Sequence, residues 1–264
     1  MLYKQSLKQT ITAMGCWLFL PVSLFAHDPI FSPGPHVLFK DGFEIHTEFV
    51  RSEQGDESDS EQAIALKYGI TGDWVIGIEQ PYQIIKDEFG SQSGVGDILL
   101  STKYRFWRED TPGVQESAAV LVKVKLDSSN DALTTDTVDP VLGFTYGYES
   151  LTWYRFNQNN DQLQRGDRLF VDLAGGYRSQ LNDYREADTV WLLELNGEFI
   201  KRNAFNGLDL NNTGGNQWFV SPGIMLTYRN FAVKAGIQLP VLSNLNGDQP
   251  RADYRARQEF EWHL

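Results

Sequence analysis

The chain has 264 residues, 35 of them acidic and 23 basic, for a formal net charge of −12. Acidic residues are spread along its whole length, which excludes a nucleic-acid partner, since that needs a basic face. Its one cysteine, Cys16, falls in the N-terminal apolar stretch, so thiol chemistry and cysteine metal sites are excluded for everything that follows.

In chain order, Lys4 and Lys8 precede a mostly apolar run from Ile11 to Phe25, and Ala26 leads into polar, Pro-rich sequence. That order predicts a secretory signal peptide over residues 1–26, cleaved after Ala26. The run is short for a spanning helix, and no later run is long enough for one. Residues 27–42, headed by His27-Asp-Pro-Ile-Phe-Ser-Pro-Gly-Pro35, read as a periplasmic leader that lies in the periplasm or enters a lumen.

From Phe43 onward the apolar period is two. Phe43, Ile45, Thr47 and Phe49 alternate with Glu44, His46 and Glu48. Ile64, Leu66 and Tyr68 alternate with Ala65 and Lys67, and Trp74, Ile76 and Ile78 with Gly77 and Glu79. Leu100, Thr102, Tyr104 and Phe106 oppose Ser101, Lys103 and Arg105; Val120, Val122 and Val124 oppose Lys123 and Lys125. Leu142, Phe144 and Tyr146 follow, with a weaker segment around Trp153. Later, Leu169, Val171 and Leu173 oppose Asp172, and Trp191, Leu193 and Leu195 oppose Glu194, Asn196 and Glu198. Val220, Ile224 and Leu226 oppose Ser221 and Gly223, and Phe231, Val233 and Ala235 oppose Lys234 and Gly236. The last segment sets Phe260, Trp262 and Leu264 against Arg255, Arg257, Glu259 and Glu261. About twelve strands result, an even count that suits a bacterial barrel.

Short turns alternate with long polar connections, and aromatics gather beside the short turns: Tyr68, Trp74, Tyr104, Phe106, Trp107, Tyr148, Trp153, Tyr177, Trp191, Tyr228, Phe231 and Trp262. Amphipathic rings prefer the lipid–water boundary, whereas a soluble sandwich buries its aromatics in mid-strand. The fold class is therefore all-β: a closed antiparallel up-and-down transmembrane β-barrel over residues 43–264, with both chain ends on the periplasmic side. The alternating C-terminal strand fits substrates of the outer-membrane assembly machinery. The predicted location is the outer membrane, with its lipid and lipopolysaccharide as surroundings.

The second face of the strands is too charged for a hydrophobic core. Glu44, His46, Glu48, Lys67, Glu79, Asp97, Lys103, Arg105, Lys123, Lys125, Asp172, Glu194, Glu198, Lys234, Arg255, Arg257 and Glu259 are predicted to line a lumen. Unpaired buried charge is unfavourable, so this face is either wet, as in a narrow channel, or closed by its own ion pairs. Both signs occur, which argues against strong anion or cation selection. For Glu44, His46 and Glu48 the expected partners are Arg255 and Arg257 on the closing strand. A leader starting at His27 offers an amine and an imidazole that can chelate copper, with His36 assisting. An ordinary polar leader explains the same residues. A nucleophile set around His46 would make a hydrolase, yet its own strand offers only carboxylates beside it and no Gly-x-Ser-x-Gly turn occurs. No cofactor is called for.

Several motifs resemble one family. They are His27-Asp-Pro-Ile-Phe31, Gly94-Val-Gly-Asp-Ile98 with Thr102-Lys-Tyr-Arg-Phe-Trp107, Tyr146-Gly-Tyr-Glu149, Gly166-Asp-Arg-Leu-Phe170 with Gly175-Gly-Tyr-Arg178, Ser221-Pro-Gly-Ile224, and Asn244-Leu-Asn-Gly-Asp248. Together they resemble the meta-pathway phenol-degradation family of outer-membrane, transporter-like barrels. The resemblance implies uptake or efflux of small solutes, aromatic or hydrophobic among them. The alternatives are a structural or copper-handling envelope protein with a closed lumen and, more distantly, an outer-membrane hydrolase.

Overall fold

The computed structural model describes residues 28–264, except 89, 112–113, 130–136, 147–149, 156–158, 161–162, 179–181 and 183–184. The signal segment 1–26 and His27 lie outside the described residues, as does the side chain of Trp153.

The strands are, in order, β1 (Phe43–Gln54), β2 (Glu57–Thr71), β3 (Trp74–Asp87), β4 (Gly90–Val95), β5 (Leu99–Thr111), β6 (Val114–Lys125), β7 (Asp139–Tyr146) and β8 (Ser150–Arg155). There follow β9 (Asn159–Asn160), β10 (Leu163–Gln164), β11 (Arg168–Arg178), β12 (Asp188–Ile200), β13 (Ala204–Phe205), β14 (Leu208–Asp209), β15 (Gly215–Tyr228), β16 (Phe231–Leu245) and β17 (Tyr254–His263). Among the described residues no helix is long and apolar enough to cross a membrane.

All pairings are antiparallel, and the sheet curls on itself. Neighbours run β1-β2-β3-β5-β6-β7-β8-β11-β12-β15-β16-β17, and β17 pairs back onto β1 from Glu44↔His263 to Glu53↔Tyr254. The two chain ends meet at one rim, where Phe43 and Leu264 exchange backbone hydrogen bonds of 3.2 and 2.8 Å. Short β4 extends the β3 hairpin, and β9, β10, β13 and β14 form a small separate sheet at the long-loop end.

The alternation sorts side chains by face. Ile64, Leu66, Ile76, Ile78, Leu100, Leu142, Phe144, Leu173 and Leu193 point outward and are exposed. Their i±2 spacing puts them on one face of the pleat, forming the apolar belt of a membrane barrel. At the chain-end rim the belt becomes aromatic. Phe43 meets Tyr68 with ring centroids 4.7 Å apart, Trp107 stacks on Tyr146 at 5.8 Å, and Tyr177 and Trp191 stand exposed nearby. A β-bulge between Arg105 and Trp107 sets that ring over the neighbouring strand.

One difference from the sequence reading concerns the interior. The inner face was expected to lack a hydrophobic core, yet Ile30, Val190, Leu192 and Met225 form a buried apolar cluster with Phe31 packed against it. Two of those five residues come from the segment before β1, so strand periodicity alone left them out.

Candidate functional site

The segment before β1 packs inside the curled sheet. Ile30 is 1% exposed, and Pro29, Ser32, Gly34 and Pro35 are buried. Glu194, itself 1% exposed on β12, accepts hydrogen bonds from the Ile30 backbone N–H at 2.7 Å, from the Phe31 N–H at 3.2 Å and from the Ser32 hydroxyl at 3.3 Å. Arg257 on β17 donates to the Ile30 carbonyl at 2.6 Å. Charged partners make such bonds stronger than neutral ones. Two glycines supply the space for the Ile30 side chain. A methyl group at Gly223 would sit 2.3 Å from Ile30 Cδ1, and one at Gly236 would sit 3.1 Å from it.

A second anchor lies across the interior. Lys103 Nζ donates to Asp28 Oδ2 at 2.8 Å and to the His36 carbonyl at 3.0 Å. Burial acts to raise the Asp28 pKa, but the positive groups around it, Lys103 first and then His36, Lys234 and Lys67, together outweigh it and hold the carboxyl below its ordinary value of 3.8. Where the segment joins β1, backbone bonds between Asp41 and Gly69 (2.8 Å) and between Gly69 and Gly42 (2.9 Å) tie it to β2.

The charged inward row is a lattice of pairs. Glu44 accepts from Lys67 at 2.7 Å and lies 3.0 Å from His263 Nε2. The His46 ring is 3.8 Å from Glu44 and from Glu48 and 3.7 Å from Glu261. Arg257 reaches Glu48 at 2.6 Å, and Lys234, 1% exposed, bridges Glu259 at 3.3 Å and Glu261 at 2.6 Å. Lys125 bridges Asp97 at 3.0 Å and Asp139 at 3.5 Å, and Arg105 holds Asp73 at 2.7 Å. The expected partnership of the β1 carboxylates with β17 holds for Arg257. Arg255 instead pairs with Glu198 on β12 and stacks over the Phe219 ring at 4.6 Å. Asp172 accepts from Asn196 at 2.9 Å, and Asn196 also receives Ser221 at 2.6 Å and Gln238 at 3.0 Å. Glu79 and Lys123 face the same interior without such a partner among the described residues.

Glu44, His46 and Glu261, and likewise His46, Glu48 and Glu259, bring possible metal-ligating atoms within 4.8 Å of one another. These carboxylates already hold Lys67, Lys234 and Arg257, which a cation would have to displace. Among the described residues the His46 ring meets the carboxylates of Glu44, Glu48 and Glu261. Of the two leader histidines raised for copper, His36 sits beside Asp28 and Lys103, and His27 lies outside the described residues.

Among the described residues, cavities lie beside the leader. One of about 150 Å³ is lined by Glu44, Lys67, Val75, Glu79, Lys103 and Leu121 among others. Another, of about 100 Å³, lies between Ile30, His46, Glu48, Lys234 and Arg257.

Sequence reasoning left open whether the leader with Ile30 and Phe31 enters the interior, and it missed four interior groups on the strands, Phe170, Val190, Phe219 and Met225. The last four share a face with Asp172, Glu194, Ser221 and Gly223, so parity could have placed them inside.

The model of the family described as "Putative MetA-pathway of phenol degradation" matches residues 76–203. The fold is similar to that of an outer-membrane channel from Pseudomonas putida F1, with TM-score 0.69 and 12% identity, covering 88% of this chain and 99% of that one. The β domain of the Bordetella autotransporter BrkA matches at TM-score 0.43 and 10% identity, over 84% of this chain and 99% of that one. No curated protein matches the chain by sequence.

Proposed function

With residues 76–203 carrying that family's pattern, we propose that the chain is an outer-membrane channel for small solutes, narrowed by its own leader. The barrel lies in the outer membrane, with its apolar belt against lipid. On this reading residues 1–26 are removed after export, the assembly machinery inserts the closed barrel, and lipopolysaccharide surrounds the long loops. The solutes are small, with aromatic and hydrophobic molecules suggested by the family's description. The protein carries them without chemical conversion.

One observation carries the proposal: the inward row keeps cavities of about 150 and 100 Å³ open beside the docked leader. A sheet evolved only as a closed plug would gain by filling such spaces, because dispersion contacts are lost around every void. Charged walls of both signs let water and small solutes share the interior without strong ion selection.

The test is planar-bilayer conductance of the mature chain against a form lacking residues 27–36. The full chain should give small unitary steps in KCl, and the shortened form steps several-fold larger. Absence of steps in both, from protein shown by circular dichroism to be folded, would refute the channel.

A further inference from the structure

The two cavities share five charged side chains: Asp28, Lys67, Glu79, Lys123 and Glu261. Three of them are neutralised by neighbours. Asp28 pairs with Lys103, Lys67 with Glu44 and Glu261 with Lys234. The remaining two, Glu79 and Lys123, have opposite signs and no ion pair or hydrogen bond among the described residues.

They stand on different strands and make no ion pair with each other among the described residues. Glu79 is on β3 and Lys123 on β6, with β5 between them. Gly77 pairs with Ser101 and Ser101 with Lys123, so Glu79 stands two residues farther along β3 than the row holding Lys123. Two interstrand spacings alone set the backbones about 10 Å apart. Between them the wall is low, formed by Gly77 and the Ser101 hydroxyl. A methyl at Gly77 would already lie 2.7 Å from that oxygen. Val75, Leu121, Ala65 and Pro33 provide apolar sides.

Among the described residues every other charge around these cavities is matched, so a carboxylate and an ammonium without counter-charges facing the same space define a complementary ligand. Charge held inside a barrel is costly unless it is solvated or countered. We propose that Glu79 and Lys123 form a binding site for a small zwitterion, its ammonium on Glu79 and its carboxylate on Lys123. The larger cavity, about 150 Å³, is the size that holds a single six-membered ring. The ligand is therefore limited to a few heavy atoms between its two charges. This inference rests on the channel reading for its meaning, as a station on the solute path, but its test does not depend on flux.

Isothermal titration of the mature protein in detergent would use glycine, β-alanine and 4-aminobutyrate, which differ in charge separation. Butyrate and butylamine serve as singly charged controls. The best-fitting zwitterion should bind at least tenfold more tightly than either control. Glu79→Gln and Lys123→Gln should each bring it down to the control level, with melting curves unchanged. Equal binding of zwitterion and controls, no binding, or full binding by both variants would overturn the site. Binding in a barrel that gives no conductance would keep the site and sink the channel. Conductance without binding would do the reverse.

Discussion

The two sides of the barrel interior are built differently. Along β12 and β15, next to Ile30, the wall is dry: Val190, Leu192 and Met225 pack on Ile30, and Glu194 takes the leader's backbone N–H groups. Along β1, β2, β3, β5 and β6 the wall is charged and borders the larger cavity beside Lys67, Glu79, Lys103 and Lys123. The leader is thus packed against apolar side chains on one side, while on the other Lys103 holds Asp28 and the His36 carbonyl with cavity space left beside them. Packing gives it a position, and the charged wall leaves room beside it. A plug meant only to seal would be expected to fill both sides.

The largest effect of this asymmetry should come from the dry wall's polar anchor. Glu194→Ala leaves the Ile30 and Phe31 N–H groups without their acceptor in a buried place. Each orphaned donor costs about 1–3 kcal/mol, so leader docking should weaken by roughly a hundredfold. Protease cleavage within residues 28–38 and an increase in unitary conductance would report it. Equal protection of the leader in variant and parent would show that Glu194 does not hold it.

A smaller effect is expected from steric pressure on the same wall. Gly223→Val places side-chain carbons where Ile30 Cδ1 now lies, since even a methyl would come within 2.3 Å. Overpacking of this kind costs about 1–3 kcal/mol. The leader should be partly displaced while the barrel strands keep their melting temperature. If the barrel's own melting fell and the leader stayed protected, Ile30 would be fixed more firmly than β15.

The two walls were not equally legible in the sequence. The charged wall follows from parity: once Phe43 faces lipid, Glu44, His46 and Glu48 must face inward, and the same holds for Lys103 against Tyr104. The dry wall depends on contacts between residues 164 positions apart, Ile30 and Glu194. No local pattern marks a backbone N–H as the partner of a distant carboxylate. Gly223 and Gly236 read as ordinary strand glycines until Ile30 is seen between them. The hint available was that Val190 and Met225 have inward parity, leaving apolar surface that something had to cover.

The anchor on the charged side should respond to acid. Asp28 in its pair with Lys103 has a pKa below the ordinary 3.8. Above 3.8 the carboxyl is ionised whether docked or free, and the pair contributes fully. As pH falls through the lowered docked value, the contribution is lost. Conductance should therefore be flat with respect to this group between pH 5 and 8 and rise only below about pH 4, by a few-fold. Asp28→Asn should abolish that acid rise. A rise already on going from pH 8 to pH 5, where the carboxyl is ionised docked or free, would contradict the sign of the pairing.

The smallest effect tests the open wall directly. Ala65 is buried on β2 and borders the larger cavity. In a close-packed interior, enlarging such a residue forces neighbours off their rotamers. Here Ala65→Leu would add its carbons toward a space of about 150 Å³. Stability should change by less than about 1 kcal/mol, and burial of the added methyl groups can offset any strain. Conductance, by contrast, should fall by roughly half, because part of the passage beside the leader is taken. The pair Gly223→Val and Ala65→Leu then separates the walls: the same kind of enlargement should raise conductance from the dry side and lower it from the wet side. If both changes moved conductance in the same direction, the two walls would not differ in the way their packing indicates.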